Sequence, residues 1–193
     1  NKYTLIEHNL LNIKKSGINE VIINISWLGN MIKDYLGDGR RYNLKIKYSD
    51  ETNKLLGTGG GIKNALSLLG KNPFWLINSD LFTDFKINQN FKLKDNSLCH
   101  LILVKNPPHN KNGDFSLQEN KIIIKKRDKK SYTFSGISVI SPKLFDGRVN
   151  NKFALEPLLR QAVRERKVTG ELYQGIWSDI GTRLRLSKIL KYK

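Results

Sequence analysis

The order of apolar patterns along the chain predicts a three-layer α/β/α sandwich built on a mixed, mainly parallel sheet of Rossmann-like type. Three observations carry this expectation. Strand-like runs alternate with helical periodicity through the first half, as parallel crossover units require. Antiparallel pieces take over in the second half. A glycine triplet opens a helix, and the strand after it ends in a carboxylate, which places both at the sheet edge where α/β proteins bind ligands.

Element by element, Thr4 can cap a helix over 5–16, with Glu7 at the capping-box position and Gly17 closing it. The run 20–26 (EVIINIS) reads as a buried strand, 27–37 as a short helix, and the alternating 44–49 (LKIKYS) as a strand near the sheet edge. The glycine triplet leads a helix to about Leu69, and a strand follows at 73–79. Helix is expected again near 87–94. Then come a strand at 98–104, a hairpin around Glu119-Asn120, a strand at 133–140 and a short helical turn from Ser141-Pro142 to Phe145. An amphipathic helix is expected at 153–166 with Leu155, Leu158, Leu159 and Val163 on one face, then a strand at 171–177 and a closing helix after Gly181.

The 193 residues suit a single domain able to bury a core, and 39% hydrophobic with 26% charged content excludes wholesale disorder. A net charge of +17 could mark a nucleic-acid binder. The lysines, however, are scattered through every element, and no series of aromatics interleaves with them. The charge therefore reads as a solvated basic surface that attracts anionic substrates, not as a nucleic-acid interface. Only Lys125, Lys126, Arg127, Lys129 and Lys130 cluster, at a hairpin tip or loop. The single cysteine, Cys99, cannot form an internal disulfide, no run approaches the ~20 apolar residues of a membrane span, and no signal peptide is evident, so a cytoplasmic location is expected.

Two readings stand for the stretch Thr58, Gly59, Gly60 and Gly61: a bare backbone lying on a base and ribose with phosphates near the helix start, or a tight turn into a helix. It is not a Walker loop, since no Gly-Lys-Ser/Thr follows. Asp80 ends an apolar strand, and Asp179 in GIWSDIGT (175–182) repeats that pattern. Each alone could be a turn former, but together they could converge on one magnesium ion, which favours oxygen ligands and substrate phosphates. Asn78 stands at the same strand end as Asp80 and joins the nucleotide-binding candidates, while Asp84 reads as a structural cap. Ser135-Gly136 interrupts a strand, as a ligand contact or a bulge would. His109 and Asp114 share a long loop that reads first as a solvated loop and otherwise as one bordering a substrate, with Asp114 a candidate for the sugar side. His8, His100 and His109 lack zinc-ligand spacing, and no nucleophilic triad is legible.

The ordered set LGTGGGI, NSD, TFSGISVI, FALEPLLRQA and GIWSDIGT resembles the sugar-1-phosphate nucleotidylyltransferases over nearly the whole chain. Within them it is most similar to the uridylyltransferases that act on N-acetylmuramate 1-phosphate in bacterial cell-wall recycling, with NISWLGNMIKDYLGDG (24–39) and NPPHNKNGDF (106–115) adding detail. The resemblance implies that Asp80 and Asp179 bind magnesium, that Gly59, Gly60 and Gly61 lie on the nucleotide, and that Gly136 with Ser135 lies near the sugar. It implies a reaction of UTP with a sugar 1-phosphate giving UDP-sugar and pyrophosphate. GTP with mannose 1-phosphate, dTTP with glucose 1-phosphate, or a noncatalytic nucleotide-sugar binder remain the alternatives. Family members open with a strand and a glycine-rich loop carrying an arginine and Pro-Lys-Pro. Nothing like it precedes Asn1, so the expectation is a domain without that strand, weakly active or inactive alone.

Overall fold

A computed structural model describes residues 3–52, 55–94, 96–125 and 129–191, with side chains to residue 187. Helix α1 (Leu5–Lys15) begins at Thr4, whose hydroxyl and N–H close a capping box with Glu7. Strand β1 (Glu20–Ile25), helix α2 (Gly29–Leu36) and strand β2 (Lys45–Asp50) form a crossover unit in which β1 and β2 run parallel. Helix α3 (Gly57–Leu69) and strands β3 (Phe74–Ile77) and β4 (Leu81–Thr83) follow. The helix expected near 87–94 is not formed among the described residues. Phe85 and Phe91 instead pack against Trp75, tilted and edge-on respectively, and the Trp75 indole donates to the Asn88 carbonyl.

The second half supplies β5 (Cys99–Val104), the hairpin β6 (Phe115–Gln118) and β7 (Lys121–Ile124), β8 (Ser131–Ile140), α4 (Leu155–Arg164), β9 (Val168–Leu172), β10 (Trp177–Asp179) and α5 (Arg183–Lys191). The strand expected at 171–177 is thus two strands. The chain turns between them because Asp84 accepts from the Ile176 N–H at 2.8 Å and from the Tyr173 hydroxyl. Asp84 and burial together push the Tyr173 phenol up to about 12. The expectation that Asp84 is structural therefore holds. In the basic run, Lys126 and Arg127 lie outside the described residues.

The six-stranded sheet has the order β3-β8-β5-β9-β7-β6. It is mixed, as expected. Strands β3, β5 and β9 point the same way, β8 runs against β3 and β5, and the parallel pairs are β1–β2 and β5–β9. Helices α3 and α4 pack together on one side. On β1, Val21 and Ile23 pack into the cluster that contains Leu10 of α1, whereas Asn24, on the opposite face, reaches Gly61 of α3. Since neighbouring side chains on a strand face opposite ways, α1 and α3 cover opposite faces, which makes three layers.

The apolar interior is divided. One cluster joins β5, β8, α4 and Ile62 of α3; another joins Leu10, Leu36, Tyr42, Leu44 and Ile46. Between them runs a cavity of about 1130 Å³ lined by Glu20 to Ser26 and by Phe74 to Asp80 without a break. Consecutive residues of a strand can line one cavity only if its backbone edge borders that cavity. The space is therefore a slot between the edges of β1 and β3, closed above and below by Leu10 and Ile13 of α1 and by Ile62 and Ala65 of α3. Among the described residues β1 pairs only with β2, and β3 only with β8. Such a space has the shape and lining that one more apolar strand would fill.

Candidate active site

The slot turns polar where β1, β2 and β3 end. Asn24, Ser26, Glu51, Thr58 and Gly61 border it on one side, and Asn78, Ser79 and Asp80 on the other. Burial raises the Glu51 carboxyl above its ordinary range. Helix α1 holds the Asp80 segment from behind: Asn9 Nδ2 donates to the Ser79 carbonyl at 3.2 Å, and Asn12 Nδ2 to that of Thr83 at 2.9 Å.

Asp179 reaches this edge from 99 positions further along the chain than Asp80 by strand pairing. Strand β10 lies antiparallel to β4 with Asp179 opposite Leu81, and the Ile180 N–H donates to the Asp80 carbonyl at 2.7 Å. The Asp80 Oδ2 consequently stands 3.7 Å from where a Cβ on Gly181 would be. The two carboxylates expected to converge are neighbours on one short ladder. Arg185 Nη1 meets Asp179 Oδ1 at 2.5 Å, and His109 Nε2 lies 3.1 Å from Asp179 Oδ2. Among the described residues no cluster of three or more His, Cys, Asp or Glu could cage a metal. Asp80 borders the slot and Asp179 lies beside it by strand pairing; two such carboxylates suit magnesium, which keeps several waters and takes substrate phosphates as its remaining ligands.

The glycine stretch divides in two. Gly61 faces the slot, with the Glu51 carboxylate and Asn24 packed against its Cα. Gly59 and Gly60 do not line it. Their N–H groups both donate to the Phe153 carbonyl, at 3.0 and 3.1 Å, and their Cα atoms lie against Phe153 and the Asn151 carbonyl. The helix-start N–H groups expected to face phosphate are thus engaged by the chain's own 151–154 segment, so close packing is what demands glycine at these two positions. Thr58 lines the slot and also accepts from the Leu155 N–H at 3.0 Å, tying α3 to the start of α4.

Ser135 and Gly136 form a bulge in β8, where Phe134 pairs with Leu103 but Ser138 with Leu101. Both are buried. Ser135 Oγ accepts from the Ile137 N–H and its carbonyl from the Trp177 indole, so the bulge anchors β3 and β10 and does not open onto the slot. Asp114 lines the slot, with Oδ2 accepting from the Phe134 N–H at 2.8 Å and Oδ1 from Asn110 Nδ2 at 3.0 Å. Sequence reasoning missed Glu51, Asn24 and Arg185. The signal for Arg185 was its place one turn into the helix that follows Asp179-Ile180-Gly181.

The fold and the carboxylates at its sheet edge suit a transferase of phosphate-bearing substrates, and the nucleotidyl transferase family profile matches residues 1–191. The chain belongs to that family. It is 40% identical, over 95% of its length and 82% of the relative's, to the N-acetylmuramate alpha-1-phosphate uridylyltransferase of Neisseria meningitidis serogroup B. It is 30% identical, over 88% of its length and 76% of the relative's, to the D-glycero-alpha-D-manno-heptose 1-phosphate guanylyltransferase of Campylobacter jejuni. Among solved structures, a glucose-1-phosphate thymidylyltransferase from Bacillus anthracis superposes with a TM-score of 0.79 at 18% identity, covering 97% of this chain and 81% of that one.

Proposed function

We propose that the chain is a uridylyltransferase that joins UTP to N-acetylmuramic acid 1-phosphate, releasing pyrophosphate, within cytoplasmic recycling of the bacterial cell wall. The observation that carries this reading is the strand pairing that brings Asp179, on β10, beside Asp80, which precedes β4 and borders the slot. The 40% identity to the Neisseria uridylyltransferase supports the choice of substrates.

In the reaction an oxygen of the sugar phosphate forms a bond to the α-phosphorus of UTP. The bond from that phosphorus to the bridging oxygen breaks, and pyrophosphate leaves. No protein nucleophile is required, and the attacking phosphate is already ionised, so no side chain need remove a proton. Asp80 and Asp179 would hold a magnesium ion, whose charge offsets that of the transferring phosphoryl group. Gly61, Thr58, Asn24 and Glu51 border the side on which the nucleoside would lie. The carboxylate of Asp114 and the bulge of Ser135 and Gly136 support the opposite wall, which makes them framework for the sugar site.

A guanylyltransferase acting on another sugar phosphate is the second reading, favoured by the 30% identity to the Campylobacter enzyme. Pyrophosphate release, measured over a panel of nucleoside triphosphates and sugar 1-phosphates, separates the two. The assay is run with and without the family's N-terminal strand-and-loop segment fused ahead of Asn1, each form also with Asp80→Ala. UTP-dependent release abolished by the substitution is the expected result. GTP preference selects the second reading, and UDP-sugar binding without release in either form overturns the catalytic one.

A further inference from the structure

Both oxygens of Asp179 are engaged: Oδ1 by Arg185 Nη1 at 2.5 Å and Oδ2 by His109 Nε2 at 3.1 Å. The arginine is held in this position from its own helix start, where its N–H and Nε lie 3.2 and 3.3 Å from Thr182 Oγ1. On its other side, Arg185 Nη2 is 3.2 Å from the point a Cβ on Gly181 would occupy, and Asp80 Oδ2 is 3.7 Å from that same point. The guanidinium thus lies on Asp179 and flanks Gly181, which Asp80 also approaches. Two carboxylates brought to one rim repel unless a cation stands between them, and Arg185 supplies that cation from within the chain.

Building on the metal site proposed above, we infer that Arg185 is a positioning residue that competes with the metal for Asp179. A dication bound to Asp179 and the guanidinium on its Oδ1 would share one carboxylate and repel, so each weakens the other's hold on it. Metal binding therefore favours rotation of Arg185 off the carboxylate. Its side chain is 28% exposed, and Nη1 also lies 3.2 Å from His109 Nε2, so rotation must break that contact as well. The freed guanidinium then lies beside the bound phosphates, with five donors suited to them. The competition holds the two aspartates in place before substrate arrives and makes metal affinity modest until a phosphate is present to receive the arginine.

The test is direct Mn²⁺ binding to the 193-residue chain, read by the electron paramagnetic resonance of the free ion, with thermal melts showing that each variant is folded. Arg185→Gln should tighten Mn²⁺ binding by about fivefold or more, since it removes a half-exposed competing charge. Arg185→Lys should bind like the parent, and Asp179→Asn should lose binding. Unchanged or weaker binding in Arg185→Gln, with loss in Asp179→Asn, overturns the competition while leaving the metal site standing. Parent-like binding in Asp179→Asn, or no binding to any variant, overturns the metal site and this inference with it.

Discussion

Asn78 and Gly136 lock β3 to β8 beside the polar end of the slot. The Asn78 N–H donates to the Gly136 carbonyl at 3.0 Å, and its side-chain nitrogen stands 2.7 Å from where a Cβ on Gly136 would be. Gly136 also has φ +80°, a conformation L side chains resist.

Gly136→Ala should therefore cost about 2 kcal/mol or more, combining backbone strain with a clash. The displaced Asn78 would carry Asp80, two residues on, out of register with Asp179. Urea denaturation alongside turnover should show both falling; a neutral substitution would refute the lock.

The split in the glycine stretch predicts different outcomes for adjacent positions. A Cβ at Gly60 meets the rigid Asn151 backbone, whereas one at Gly61 meets the end of the Glu51 side chain, which can move. Gly60→Ala should lower stability by about 2 kcal/mol despite the better helix propensity of alanine. Gly61→Ala should change stability little and weaken UTP binding, because Glu51 is pushed into the slot. Calorimetry with UTP and denaturation midpoints for both variants test the assignment, and equal effects on binding would reject it.

Asp80 and Asp84 stand four positions apart but should behave oppositely. Asp80→Asn should reduce turnover by about two orders of magnitude, the usual cost of losing a charge that acts in the transition state. Its stability should stay within about 0.5 kcal/mol, as for a substitution with no buried partner. Asp84→Asn weakens the acceptor for Ile176 and Tyr173, so it should cost about 1 to 2 kcal/mol in stability, with activity declining only as folding does. Parallel measurement of kcat and denaturation midpoint distinguishes them.

His100 predicts an acid limb in stability. It is buried between Phe91 and Thr169, with Nδ1 2.8 Å from Thr169 Oγ1, Nε2 4.0 Å from Glu171 Oε2, and Lys94 nearby. Burial, followed by the Lys94 charge, lowers its pKa to about 4 from an ordinary 6.5. Between those values the unfolded chain binds a proton that the folded chain refuses, so stability must fall as pH drops from 6.5 toward 4. The ceiling is about 3 kcal/mol. His100→Gln should flatten this limb relative to the parent in melts run across that range.

Much of the fold was readable in local pattern because local rules govern it. Thr4 and Glu7 close their capping box within one helical turn, Leu155, Leu158, Leu159 and Val163 all bury the face their spacing marks out, and the Glu119-Asn120 turn joins the expected hairpin. The paired aspartates were also legible, since each ends an apolar run before a turn. What local pattern does not contain is what fills the space beside a residue. The same glycine-rich stretch could border the slot or the chain's own 151–154 segment, and only packing set Gly61 on the slot and Gly59 and Gly60 against the segment. The division of 171–177 into two strands depends on Asp84, nearly 90 residues earlier, and the approach of Arg185 and His109 to Asp179 depends on how a loop and a terminal helix meet. Propensity and periodicity act over a few residues, whereas these contacts arise from chain segments made neighbours by the sheet.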